Sequence, residues 1–477
     1  MRRRFLLLIL LFLILLPLPV QAATTLTVDP KSRLSTVSPQ SVGLNTNYLM
    51  DGATNTADGI AALNVGALRY PGGEKSDSYL WSVPPFTQVQ PSLARTGPNE
   101  WPSGDRTLVN ADGSFVRPPL DFDQFMAIAQ SRSAEPVLVV DFDSMFKPAE
   151  PGGTAPTQQD LLDTAVAWVR YARDHSYNAR YWELGNESYQ GSFNGSPSAQ
   201  QYAEQAVVFA QAMKAADPSI KIGVNGGNDA WWSTILPITS PYIDFLVVHN
   251  YPAYNWASYS TYSSKTALTS DVDRAISAIA RFAKSSDRSR LKIAITEYNA
   301  LSWGGWGEAN DTGHALVAFD ILGQQLQYPQ VVFSLFWNTR WITNNDGVKL
   351  FDALTPDNTP TPVGQSLTLF SNYMHDSMVK ASSNSTLRTF ASYNTKTGAL
   401  TVWVLNKKTS SQSVNVKLSN YKASSKTVRQ TLFVGRSPED AQPAIKILSS
   451  LSLSSNAVSV KAPAVSITIL QFQGKVS

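Results

Sequence analysis

A (β/α)₈ TIM barrel with a C-terminal antiparallel β-sandwich is the architecture expected of this 477-residue chain. Two patterns and one junction lead to it. Up to about residue 358, eight short apolar runs alternate with amphipathic helical stretches, as in parallel strands covered by helices. From 363 to 477 the composition turns to Ser, Thr, Val and Lys with period-two alternation and no long helical pattern. Between the two lies the Pro-rich stretch TPDNTPTPV, residues 355–363.

The strand runs are 41–46, 66–70, 136–141, 180–184, 221–225, 243–248, 291–296 and 330–337, mostly continuous and β-branched or aromatic. Thr157 is placed to cap a helix that buries Leu161, Leu162, Ala165, Val166, Val169 and Ala172 at helical spacing. A second helix runs from about Ser198 to Ala216 and is stopped by Asp217-Pro218. Others fall near 121–131, 268–284 and 312–326. In the C-terminal part, 400–405, 413–418, 427–433 and 465–472 read as antiparallel strands. The expected division is therefore a leader at 1–22, an N-terminal strand at 23–38 available to pair with the sandwich, a barrel at 39–358 and a sandwich at 359–477.

With 43% hydrophobic and 16% charged residues, the chain is neither disordered nor fibrous. Residues 1–22 read as a signal peptide: Arg2 to Arg4 precede an apolar run from Phe5 to Leu16, and Val20-Gln21-Ala22 suits cleavage. That run is short for a membrane span and is broken by Pro17 and Pro19. A secreted or periplasmic protein with no stable membrane insertion after cleavage is expected. Without those three arginines the basic and acidic counts are equal, so no basic face for nucleic acid is implied. There is no Cys, which excludes thiol chemistry and Cys-based metal sites. The four His residues show no metal-ligand spacing, so no metal and no cofactor is expected. No G-x-S-x-G elbow is present.

Barrels of this kind carry reactive groups at the carboxyl ends of their strands. Trp182-Glu183-Leu184-Gly185-Asn186-Glu187 follows the fourth strand and Thr296-Glu297-Tyr298-Asn299 the seventh, which puts two carboxylates on one rim. A lone glutamate at a strand end is ordinarily a surface or salt-bridged residue. A facing pair is what cleavage of a glycosidic bond requires: one group held protonated to donate, one ionised to attack.

Asn186-Glu187 after strand four, with Glu297 after strand seven, resembles the retaining glycoside hydrolases of clan A, most closely the α-L-arabinofuranosidases of glycoside hydrolase family 51. Leu68-Arg69-Tyr70-Pro71-Gly72-Gly73, the run Glu135 to Val140, the run Met213 to Ile220, and His249-Asn250-Tyr251 carry the same likeness. Thr296 before Glu297 and Tyr298 after it depart from the family, which has an acidic residue and a Trp there; residues 74–81 depart as well. The resemblance implies that Glu187 is the general acid/base and Glu297 the nucleophile. It further implies that Asn186 binds the sugar 2-hydroxyl, that Arg69 keeps Glu297 ionised, that Tyr251 donates to the nucleophile and that His249 lines the rim. Glu183 is expected to be structural.

Trp337, closing strand eight, is placed to stack on a sugar face, with Trp303, Trp306 and Trp81 as further aromatic candidates. The expected partner is an oligo- or polysaccharide. The same two-glutamate chemistry also serves β-xylosidase, β-glucuronidase or endo-glucanase activity, and a non-catalytic carbohydrate-binding barrel is the alternative of another class. Asn186, Asn194, Asn310 and Asn384 each open an N-glycosylation pattern; at Asn186 a glycan would block the rim, so that match is read as coincidence.

Overall fold

The computed structural model describes residues 23–52, 56–97, 100–101, 107–191, 196–341 and 347–477. The signal-peptide reading of 1–22 and the pattern at Asn194 lie outside them. Eight parallel strands close a barrel in chain order: Val42–Asn45, Ala67–Tyr70, Glu135–Val140, Tyr181–Leu184, Lys221–Asn225, Phe245–Asn250, Lys292–Tyr298 and Val331–Phe336. The eighth pairs with the first through Ser334 and Val42. Each strand lies within two residues of its expected run. Every residue of the third and sixth strands is buried, as parallel strands covered on both faces require.

The helices start where the sequence provides donors and acceptors for their ends. Thr157 accepts from the Asp160 amide, and the Asp160 carboxylate accepts from the Thr157 amide at 2.8 Å, opening Gln158–Asp174 with a reciprocal cap. Ser198 and Gln201 do the same for Ala199–Ala216. Inside the barrel, Ala67, Val137, Phe245, Val247, Ala294, Phe333 and Leu335 form a separate apolar cluster. The lumen closes only because two strands carry no side chain there. A Cβ on Gly43 would stand 2.1 Å from Leu335 Cδ2, and one on Gly223 would stand 2.1 Å from Phe245 Cε2.

One boundary differs from expectation. Pro362–Ser371 is a helix, the eighth of the barrel, within a segment read from the sequence as strand and linker. Thr361 accepts from the Gly364 amide, Pro362 occupies the first turn, and Val363, Leu367 and Phe370 are buried. Phe370 stacks on Phe319 of the helix Thr312–Gln325 at 4.4 Å. Its Ser and Thr content hid an apolar face that only the neighbouring helix explains. Helices at Thr56–Leu63 and Asp229–Thr239 were likewise not foreseen.

Nine further strands form one sheet in the order Ala444–Ser452, Thr427–Val434, Ser466–Phe472, Leu400–Asn406, Leu387–Tyr393, Ser377–Ala381, Thr24–Thr36, Gln412–Leu418 and Ala457–Ala462. Val402 and Leu470 from its middle share one core with Val416 and Val460 from its far end, so the sheet folds back on itself as a sandwich. It is antiparallel except where Thr24–Val28 runs parallel to Val414–Leu418. That strand arrives from the other end of the chain, so no hairpin dictates its direction. No helix among the described residues is long and apolar enough to cross a membrane.

Gly223→Ala should destabilise the chain by about 1–3 kcal/mol, because the Phe245 ring has no room to retreat. Denaturant unfolding followed by tryptophan fluorescence measures this, and an unchanged midpoint would contradict the proposed filling of the lumen.

Candidate active site

Strands two, four, six and seven deliver their last residues to one mouth. Arg69 is fully buried there and spends its guanidinium on four partners. Nε and Nη2 donate to Glu183 Oε2 at 3.1 and 2.8 Å, and Nη2 also donates to Asn186 Oδ1 at 2.9 Å. Nη1 donates to Glu297 Oε1 at 2.8 Å and to Asn45 Oδ1 at 3.1 Å. Burial raises Glu183 above the usual carboxylate range, with Arg69 opposing that rise. Glu183, read from the sequence as structural, is the buried ion-pair partner of Arg69.

Glu297 reaches this point through an irregularity in its strand. Pairing with the sixth strand slips by one residue between Ile295 and Glu297, so Thr296 and Glu297 both turn toward the residues of the mouth. Thr296 Oγ1 meets His249 Nε2 at 3.2 Å, and Glu297 Oε2 accepts from the Tyr251 hydroxyl at 2.6 Å. Burial, followed by the Glu297 and Glu187 charges, drives the Tyr251 hydroxyl well above its ordinary pKa, so it stays a donor. Tyr298, the other departure from the family pattern, points away and packs edge-on to Phe336 at 5.6 Å.

Glu187 sits beyond the fourth strand on a tight turn. Gly185 has φ +70° and Glu187 φ +50°, a left-handed conformation that costs a non-glycine residue about 1–2 kcal/mol. Three bonds hold it: the Gln190 amide to Glu187 O at 2.7 Å, the Asn186 amide to Asp77 Oδ1 at 3.0 Å, and the Ser188 hydroxyl to Asp143 Oδ2 at 2.7 Å. His249 Nδ1 lies 2.8 Å from Glu187 Oε1 and 3.5 Å from Glu297 Oε2, between the two carboxylates. Burial opposes ionisation of both partners. The pair overcomes it: His249 lowers Glu187, while Glu297 and Glu187 raise His249. A carboxylate oxygen of Glu187, one of Glu297 and a nitrogen of His249 all lie within 4.8 Å of one another. These are metal-ligand types, but the Arg69 cation beside Glu297 opposes a second positive charge there.

Six of the ten site candidates singled out from the sequence are therefore joined in one hydrogen-bonded cluster: Glu187, Glu297, Asn186, Arg69, His249 and Tyr251. Trp337 is half-buried at the same mouth, its ring over Gly73, where a Cβ would stand 2.0 Å from Cη2. Trp303 stands apart on the loop after strand seven, 64% exposed and edge-on to Tyr254. Trp306 packs on His314 at 4.2 Å, and Trp81 is wholly buried beside Trp168, its indole N–H donating to Thr164 O at 3.1 Å. Trp81 is core, not a sugar platform. Asn45 was missed. It closes the first strand, and its Nδ2 ties Thr296 O at 2.7 Å while its Oδ1 takes Arg69. Inspecting the end of strand one as closely as strands four and seven would have found it.

No family model matches the chain. Among curated proteins, a probable α-L-arabinofuranosidase C of Aspergillus fumigatus is 28% identical over 228 residues, covering 41% of this chain and 39% of that protein. An intracellular exo-α-(1→5)-L-arabinofuranosidase of Halalkalibacterium halodurans is 23% identical over 280 residues, covering 55% and 51%. The chain thus matches only about two fifths to one half of the length of these relatives. An α-L-arabinofuranosidase of Thermotoga maritima, solved with arabinose, shares the fold at TM-score 0.72 and 18% identity, over 94% of this chain and 100% of that one. A family 44 xyloglucanase of Paenibacillus polymyxa gives 0.66 at 16% identity, over 95% and 100%.

The His249–Glu187 pair has a defined pH window. Glu187 is lowered from 4.5, so its contribution to stability is lost as pH falls through that lowered value; His249 is raised from 6.5, so its contribution is lost as pH rises through that raised value. Thermal melts of wild type and His249→Asn should therefore differ most between pH 4.5 and 6.5 and converge on either side. A difference independent of pH would contradict the ionised pair. In its barrel, its sandwich and its partial sequence matches, the chain resembles the α-L-arabinofuranosidases of glycoside hydrolase family 51.

Proposed function

We propose that this chain is a retaining glycoside hydrolase that releases α-L-arabinofuranose from oligo- or polysaccharide, with Glu297 as nucleophile and Glu187 as general acid/base. The observation that carries this reading is the approach of the two carboxylates, one oxygen of each lying within 4.8 Å of the other. Retaining enzymes hold their carboxyl groups about 5–5.5 Å apart, whereas inverting enzymes leave room for a water at about 6.5–9.5 Å. The names of the curated relatives favour arabinofuranose as the sugar.

In the first step a Glu297 oxygen attacks the anomeric carbon as the bond to the leaving oxygen breaks, and that oxygen takes a proton from Glu187. In the second, Glu187 removes a proton from water, the water oxygen bonds the anomeric carbon, and Glu297 departs as carboxylate. Arg69 and Tyr251 each donate a hydrogen bond to Glu297 and keep its carboxyl aimed. The proton that Glu187 delivers is stored in the 2.8 Å contact with His249 Nδ1. A bound sugar excludes water, destabilises the charge-separated form and shifts that proton onto Glu187. Asn186 Oδ1 is held by Arg69, which leaves its amide NH₂ to meet a sugar hydroxyl. The basic start and apolar run within residues 2–16 support export to the periplasm or medium.

A nitrophenyl panel of α-L-arabinofuranoside, β-xyloside, β-glucoside and β-glucuronide tests the sugar. The α-L-arabinofuranoside should be cleaved best, and Glu297→Ala should lose at least about 10⁴-fold in kcat. NMR of the first product formed should show retained anomeric configuration. Glu187→Ala should recover turnover with azide, yielding a glycosyl azide. Binding of polysaccharide without cleavage of any glycoside would overturn the hydrolase reading, and an inverted first product would overturn the mechanism.

A further inference from the structure

The slip that turns Glu297 toward the mouth also turns the residue before it. Thr296 is wholly buried near the end of the seventh strand, and its carbonyl accepts from Asn45 Nδ2 at 2.7 Å. Its Oγ1 lies 3.2 Å from His249 Nε2, the one hydrogen-bond partner of that hydroxyl among the described residues. The other ring nitrogen, Nδ1, lies 2.8 Å from Glu187 Oε1. The imidazole is therefore clamped at both ends, by a carboxylate on one side and a neutral hydroxyl on the other. A β-branched side chain keeps few rotamers, so Oγ1 has a fixed direction. A hydroxyl, unlike a carboxylate, both donates and accepts. It accepts from an Nε2–H or donates to a bare Nε2, and so stays bonded whichever protons the ring carries.

We infer that Thr296 is a positioning residue for the proton relay: its hydroxyl holds the His249 ring against Glu187 and, being uncharged, leaves the Nδ1 proton free to move. The inference rests on the proposed hydrolysis for the use of that proton. In the first step the proton passes from Nδ1 to Glu187 Oε1, and Glu187 hands it to the leaving oxygen. In the second, Glu187 takes a proton from water and returns it to Nδ1. The charges around the ring come from several elements. Glu187 and Glu297, at 2.8 and 3.5 Å, favour the imidazolium. Glu183 of the fourth strand and Asp271 of the helix Ser270–Phe282 add weaker attraction, the latter shared with Arg274. Burial and the Arg69 cation oppose it, and Tyr251 and Tyr189 are phenols kept neutral by burial. A carboxylate at position 296 would put a further negative charge on Nε2 and trap the proton on the ring. An apolar side chain there would leave Nε2–H buried without an acceptor and disfavour the protonated ring.

Thr296→Ser, Thr296→Val and Thr296→Asp are to be compared with wild type on two glycosides. The leaving group of p-nitrophenyl α-L-arabinofuranoside needs little protonation, whereas that of methyl α-L-arabinofuranoside needs the proton. Thr296→Val and Thr296→Asp should lose at least about tenfold in kcat on the methyl glycoside and less than about threefold on the nitrophenyl one, and Thr296→Ser should stay within about threefold on both. The alkaline limb of kcat/KM should move in opposite directions, up by about one pH unit in Thr296→Asp and down in Thr296→Val. Without substrate, the His249 ring in protein made with isotope-labelled histidine, identified by NMR through its absence from His249→Asn, should titrate with the same displacements. Equal losses on the two glycosides, or limbs that stay put or move the same way, would overturn the inference. If the buried carboxylate prevents folding, Thr296→Val against Thr296→Ser decides alone, and equal behaviour of those two overturns it. If the His249 titration is displaced as expected but wild type cleaves no glycoside, the hold of Thr296 on the ring stands and the hydrolase reading fails.

Discussion

A buried guanidinium holds the mouth of this barrel together. Taking Arg69 out of water costs several kcal/mol, and its hydrogen-bond donors recover that only if every direction in which they point meets an acceptor. Here they meet Glu183, Glu297, Asn186 and Asn45, so strands one, two, four and seven are tied by a single side chain. A lysine has the charge without the fork and could not hold four partners at fixed angles. The arrangement also divides the carboxylates by role. Glu183 and Glu297 belong to Arg69, while Glu187 is left to His249 and is the most accessible of the three.

The barrel is set from both sides. Glu297 lies at the end of strand seven, and the helix that follows begins at Thr312, whose amide and hydroxyl both donate to Asp440 O of the sandwich at 2.9 and 2.7 Å. Gly313 N donates to Pro438 O at 2.7 Å, and Lys407 of the sandwich reaches Asp320 of the same helix at 3.6 Å. The C-terminal sheet thus caps the helix that trails the nucleophile strand. This gives the second domain a mechanical role in the site although none of the clustered site residues comes from it.

The barrel was legible because its strands bury both faces, so each appears as an uninterrupted apolar run such as Phe245 to Val248. The glutamates were legible because strand ends are where such barrels place chemistry. The eighth helix was not, since Thr361-Pro362 reads equally well as linker and as cap until Phe319 supplies a partner for Phe370. Trp81 shows the same limit in reverse: an aromatic residue on a loop satisfies a sugar-binding pattern, and only its contact with Trp168 reveals that it fills the core. The slip at Ile295 that turns Glu297 inward, and the bonds from Asn186 to Asp77 and from Ser188 to Asp143 around Gly185, depend on contacts between distant segments, which no local pattern encodes.

The proposed hydrolysis requires Glu297 to form a bond to the sugar while Glu187 manages the proton. Incubation with an activated 2-deoxy-2-fluoro-α-L-arabinofuranoside, followed by intact mass and peptide mapping, tests this most directly. The expected result is one added glycosyl group per chain, carried on the peptide containing Glu297 and absent from Glu297→Ala. A label on any other residue, or full turnover of arabinofuranosides with no covalent intermediate trapped, would contradict it.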